Sequence, residues 1–172
     1  MSDAIIGRKE NKVAQVSMHK SFFDTVDAAI VNEFYLEAMF REYAAIEGRL
    51  EALLGVLGAS CGRMVLADSD RNNVQISHRV KCLKKIYSAS ESLGNTKLDK
   101  KFFKSLEKWI KDRNAYVHGL YKGEEKYSER SQASEKLAKD GKELARLLYN
   151  EVARVRRYIK SHPDIVLCSI QC

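Results

Sequence analysis

Helix breakers are scarce in this chain. Across 172 residues there are nine glycines and a single proline, Pro163, too few for the turn-rich sequence of a β-sandwich or barrel. No apolar run approaches the roughly 18 residues needed to cross a bilayer, so no membrane partner is expected. The opening residues, MSDAIIGRKENK, lack the charged-then-apolar order of a secretion signal. The four cysteines, Cys61, Cys82, Cys168 and Cys172, show no metal-ligand spacing. Reduced thiols in a cytoplasmic protein are therefore the expectation. The final CSIQC is not a prenylation box, because its last residue is itself cysteine. With no carboxylate cluster to suggest Mg²⁺ and no Cys/His set to suggest Zn²⁺, neither a metal nor a cofactor is expected.

Hydrophobic residues, by contrast, make up 45% of the chain, enough for a real core. There is no repeat and no composition break, so residues 1–172 read as one domain, with a loosely held N-terminus over about 1–20 and a tail over 162–172. Apolar periodicity predicts a long helical stretch over about 21–57 with a break near Val31. Further helices are predicted over about 74–91, 99–118 and 132–161, the last stopped by Pro163. Segments 61–73 and 121–131 read as loops. Four to five helices in succession imply an all-α, up-and-down bundle. The net charge of +7 permits RNA, DNA or an acidic surface as a partner without choosing among them.

The helix near residues 99–118 is amphipathic with one exception. On a wheel of 100° per residue, Phe103, Leu106, Ile110 and Val117 form an apolar stripe flanked by Phe102 and Trp109. Lys101, Lys104, Lys108, Lys111 and Asp112 gather on the opposite side. Arg113 falls inside the apolar arc. A guanidinium placed there must be paired or put to use, and Glu47 or Glu51 on the preceding long helix is a possible partner. Asn114 lies at the edge of the stripe, and His118 one turn further on the same side. Arg113 and His118, five residues apart, point roughly 140° from each other in a regular helix. For both to reach one phosphate, the last turn must unwind at Gly119, or two copies of the chain must each supply one residue. A second Arg-x₄-His spacing, Arg157 to His162, lies opposite its helix's apolar stripe and reads as a solvent-facing coincidence.

The segment WIKDRNAYVHGL, residues 109–120, resembles the signature of HEPN domains, in which an arginine and a polar residue precede a histidine near a helix end. The upstream EFYLEAMFREYAAIEGRLEALLG is similar to the long first helix of small HEPN proteins of bacteria and prophages. The resemblance spans most of residues 30–160. It implies a dimeric endoribonuclease in which the RNA 2′-hydroxyl attacks, leaving a 2′,3′-cyclic phosphate. It also implies a toxin or phage-defence role, with an antitoxin or defence-system partner. A non-catalytic RNA-binding or interaction module is the alternative that the same resemblance allows. Leu120 stands where toxins of one HEPN group often carry a tyrosine, and Tyr121 follows it.

The residue types suit that chemistry. His118 exchanges a proton near neutral pH, and a helix C-terminus there favours its charged form. Arg113 keeps its proton and can grip phosphate oxygens. Asn114 can hydrogen-bond the imidazole or the phosphate. Lys81, Lys84 and Lys85 are candidates for contacting an RNA backbone, and Tyr121 for stacking on an unpaired base.

Overall fold

The computed structural model describes residues 21–57, 75–89, 93, 98–122 and 127–162, with side chains left aside at 121–122 and 127–130. They form a bundle of five helices, and no strand occurs among the described residues. We number them α1 (21–31), α2 (Tyr35–Leu57), α3 (Ile76–Ala89), α4 (Lys100–Lys122) and α5 (Tyr127–Ser161). No helix is long and apolar enough to cross a membrane among these residues.

The helix limits have local causes. α1 ends in a Schellman turn: the amide of Phe34 donates to Ala29 O at 2.8 Å and that of Glu33 to Ile30 O at 3.1 Å. Glu33 holds the left-handed position at φ 60°, which produces the break expected near Val31. At the start of α4, the Asp99 carboxylate accepts from the Phe102 amide at 2.8 Å, an N-cap that satisfies one of the four orphan donors. The loop expected over 121–131 is shorter, since α4 runs to Lys122 and α5 begins at Tyr127. The expected loop over 61–73 lies outside the described residues.

Side-chain contacts fix the senses of the helices. Phe40 and Tyr43 of α2 meet Arg113 and Trp109 of α4, so these two run antiparallel. Lys84 and Tyr87 of α3 meet Glu107 and Phe103, again antiparallel to α4. Glu42 lies against Gly141, and Arg49 over Tyr149, so α2 and α5 run the same way. Their contact is the most extensive between helices among the described residues. Accordingly α2 and α3, joined through residues 58–74, also share one sense.

The core divides in two. The larger cluster takes Ile46, Leu50, Leu53 and Leu57 from α2, Val80, Leu83 and Ile86 from α3, Phe102, Phe103, Leu106, Trp109 and Ile110 from α4, and Leu148, Val152 and Val155 from α5. The smaller holds Val26, Ala29, Ala38, Met39 and Ala138, with Tyr116 packed on it. Glu42 and Gly141 occupy the level between them. A Cβ on Gly141 would stand 2.6 and 2.8 Å from the Trp109 ring and closer still to Glu42 Oε2. Any larger residue at 141 would have to displace the Trp109 ring or the Glu42 carboxylate.

Candidate functional site

Arg113 sits on α4 inside the apolar arc, half-buried, and its setting differs from the expected ion pair. Its guanidinium lies 4.4 Å from the Tyr43 ring centroid and 4.8 Å from that of Phe40, inside cation–π range for both. Phe40 and Tyr43, three apart on α2, present neighbouring rings. The Arg113 Nη1 donates to Asn114 Oδ1 at 3.1 Å, and the buried Nε has no partner. Burial lowers the guanidinium's pKa, an effect that Tyr43 opposes. The Tyr43 hydroxyl is raised by burial and by Glu47, with Arg113 and Arg79 acting against the rise.

Glu47 is not the partner of Arg113. Its carboxylate takes Arg79 of α3 at 2.9 Å, and Glu51 stands 3.8 Å from the same guanidinium. Arg79 is the buried arginine that α2 carboxylates neutralise. It rises from the start of α3 directly at this stretch of α2, whereas Arg113 packs about one and a half turns earlier along α2, against aromatic rings. No carboxylate lies within ion-pair distance of Arg113 among the described residues.

His118 is exposed and Asn114 half-buried. The helix does not unwind at Gly119: α4 continues to Lys122, because one glycine costs a helix only about 1 kcal/mol. One expectation is corrected by this continuation: the helix does not end at His118. Of the two alternatives left open, the unwound turn is not seen, and within one chain Arg113 and His118 remain about 140° apart as on any regular helix. The structure joins Arg113 to Asn114 and keeps His118 apart.

The remaining candidates scatter. Lys81 and Lys85 are exposed, and Lys84 pairs with Glu107 of α4 at 3.0 Å at the surface. The side chain of Tyr121 lies outside the described residues, as do Cys61, Cys168 and Cys172. Cys82 is buried, with its Sγ 3.6 Å from His78 Nε2. Arg157 and His162 both face solvent, with His162 stacked on Tyr158, in keeping with the reading of that spacing as incidental. No group of three or more His, Cys, Asp or Glu is placed to hold a metal among the described residues.

Two features escaped the sequence reading. One is Glu42, fully buried, whose two carboxylate oxygens have no hydrogen-bond partner. Burial lifts its pKa from 4.5 to about 9, against the pull of Lys142. The signal was present, since Glu42 falls about 40° from Ile46 on the wheel of α2, inside the apolar stripe. The other is a groove of about 880 Å³ between α4 and α5, floored by Phe102, Trp109, Leu137 and Leu144 with Asp112 and Lys136 at its edges. It opens on the flank of α4 away from Asn114 and His118 and includes neither Arg113 nor His118 in its lining.

No family model, curated protein or solved structure matches the chain.

Proposed function

We propose that this chain is a HEPN-like endoribonuclease that cuts RNA without a metal and works as a dimer, in a toxin or phage-defence role. The observation that carries the reading is the state of Arg113: a guanidinium half out of water, cradled by two rings, with no carboxylate to neutralise it. A cation kept in that condition is suited to an anion from outside the chain, and phosphate matches its fork of donors.

In the proposed reaction the RNA 2′-oxygen forms a bond to the adjacent phosphorus and the bond from phosphorus to the 5′-oxygen breaks. Arg113 holds the phosphoryl oxygens as negative charge gathers on them. Asn114, already bonded to Arg113, orients that grip. His118 gives a proton to the departing 5′-oxygen, and the 2′-hydroxyl proton passes to solvent. Since α4 holds Arg113 and His118 apart, the histidine beside a given arginine is that of a second copy.

The same separation favours a second reading, an RNA-binding or interaction module without catalysis, in which Arg113 serves alone. RNA cleavage by the purified chain in EDTA separates the two. Cutting that leaves cyclic phosphate ends is expected, with Arg113→Ala and His118→Ala each reducing the rate at least about a hundredfold. Mixing the two inactive variants should restore part of the activity, because a mixed dimer keeps one complete site. Folded, dimeric protein that cuts no RNA would assign the chain to the binding module.

A further inference from the structure

Among the described residues, the large exposed apolar side chains gather beside Arg113 and the turn before α2. Phe40, whose ring carries the guanidinium, is 49% exposed, and Phe34 at the turn into α2 is 61% exposed. Leu36, one turn before Phe40 and on the same face, is exposed as well. An exposed ring lying against solvent is ordinary on its own. Here the same ring is the support of a cation whose buried Nε is unpartnered and which has no carboxylate within reach.

Those two facts point to a ligand that is at once anionic and flat. A phosphate answers the guanidinium, and an unpaired base answers the open part of the Phe40 ring. A single nucleotide of a single-stranded RNA carries both groups next to each other. The net charge of +7 favours such a polyanion over an acidic peptide of few charges. Leu36 and Phe40 carry no hydrogen-bonding group, so the exposed ring itself reads no base edge. Stacking alone accepts any base.

We propose that Phe40 is a base-stacking residue and that Phe40 and Arg113 together bind one nucleotide of unpaired RNA. The proposal rests on the RNA reading of Arg113 given above and adds to it the preference for single strands. A duplex buries its bases in its own stack and offers Phe40 no free face. Phe40 is a positioning residue: it seats the substrate and supports the guanidinium without touching the reacting atoms.

The test is binding of a short, fluorescently labelled 2′-O-methyl oligoadenylate, which the proposed chemistry cannot cut, to the full chain at low salt. Phe40→Leu keeps the apolar contact and removes the ring. It is expected to weaken single-strand binding about tenfold, with the thermal midpoint unchanged. Phe40→Trp should bind as well as the original chain. The matching duplex should bind Phe40→Leu and the original chain alike. Equal single-strand affinity in Phe40→Leu and the original chain would overturn the proposal. So would a Phe40→Leu variant that loses self-association while keeping its affinity per chain, since the ring would then belong to a protein interface. Binding that depends on Phe40 without any RNA cleavage removes the ribonuclease reading and leaves this one standing. Cleavage indifferent to Phe40 does the reverse, and no single-strand binding by the original chain overturns this proposal and leaves the ribonuclease reading to the cleavage assay.

Discussion

The carboxyl group of Glu42 has no solvent exposure and no hydrogen-bond partner, and its burial shapes how the fold responds to pH. The unfolded chain releases this proton near 4.5, whereas the folded chain keeps it to about 9. The stability this group allows is therefore complete below pH 4.5 and declines as pH rises, until it is exhausted near 9. The decline amounts to at most about 1.4 kcal/mol per pH unit. Glu42→Gln preserves the shape and carries no titrating proton, so it should flatten the slope. Urea unfolding between pH 4 and 9 is expected to show the two chains close together at pH 4.5 and Glu42→Gln ahead by more than about 1 kcal/mol at pH 8. Parallel pH profiles would show that Glu42 is not the group responsible. Sequence pattern held part of this in view. The wheel of α4 singles out Arg113 because an arginine among Leu106, Ile110 and Val117 is anomalous by type alone. What it cannot supply is the partner, since aromatic rings that receive a cation are also ordinary packing residues, and Glu47 looks equally available on α2 until Arg79 is seen to take it.

At the scale of helices, the corner between α1 and α2 carries a residue in a conformation that suits glycine. Glu33 sits at φ 60°, where a Cβ crowds the following carbonyl at a cost of about 1–2 kcal/mol. Glu33→Gly should raise stability by about 0.5–1 kcal/mol, after the greater freedom of glycine in the unfolded chain is subtracted. A denaturation curve with unchanged slope and a higher midpoint is the expected result, and a lower midpoint would place the Glu33 side chain in a contact that outweighs its strain. This corner was legible in sequence as a loss of periodicity near Val31, and α3 as the recurrence of Ile76, Val80, Leu83 and Tyr87. The end of α4 was not. Gly119 resembles a stop signal, but the propensity of one residue yields to a helix whose preceding turns are anchored by Phe103, Leu106 and Ile110 in the core. The consequence reaches the site, because the continued helix is what keeps His118 turned away from Arg113.

For the molecule as a whole, the level marked by Glu42 and Gly141 is a plane of weakness. On one side, leucines, isoleucines and aromatic rings from α2 to α5 interlock; on the other, the fully buried residues are fewer and mostly small (Val26, Ala29, Ala38, Met39 and Ala138), with Phe22, Ile30, Tyr35 and Tyr116 only partly buried around them. Cooperative units of unequal stability are expected from such a division. Amide hydrogen exchange should place Leu50 and Leu53 with the slowest protons, opening only when everything unfolds. Ala29 and Met39 should open earlier and with less dependence on urea. One uniform rate class across α2 would deny the division. Arg113, Phe40 and Tyr116 all lie toward the lesser cluster, so a molecule seated on Arg113 would act first as a clamp on the half that breathes. Its arrival should be felt as slowed exchange at Ala29 and Met39 while Leu53 keeps its former rate, turning the unequal halves of the bundle into a built-in reporter of occupancy.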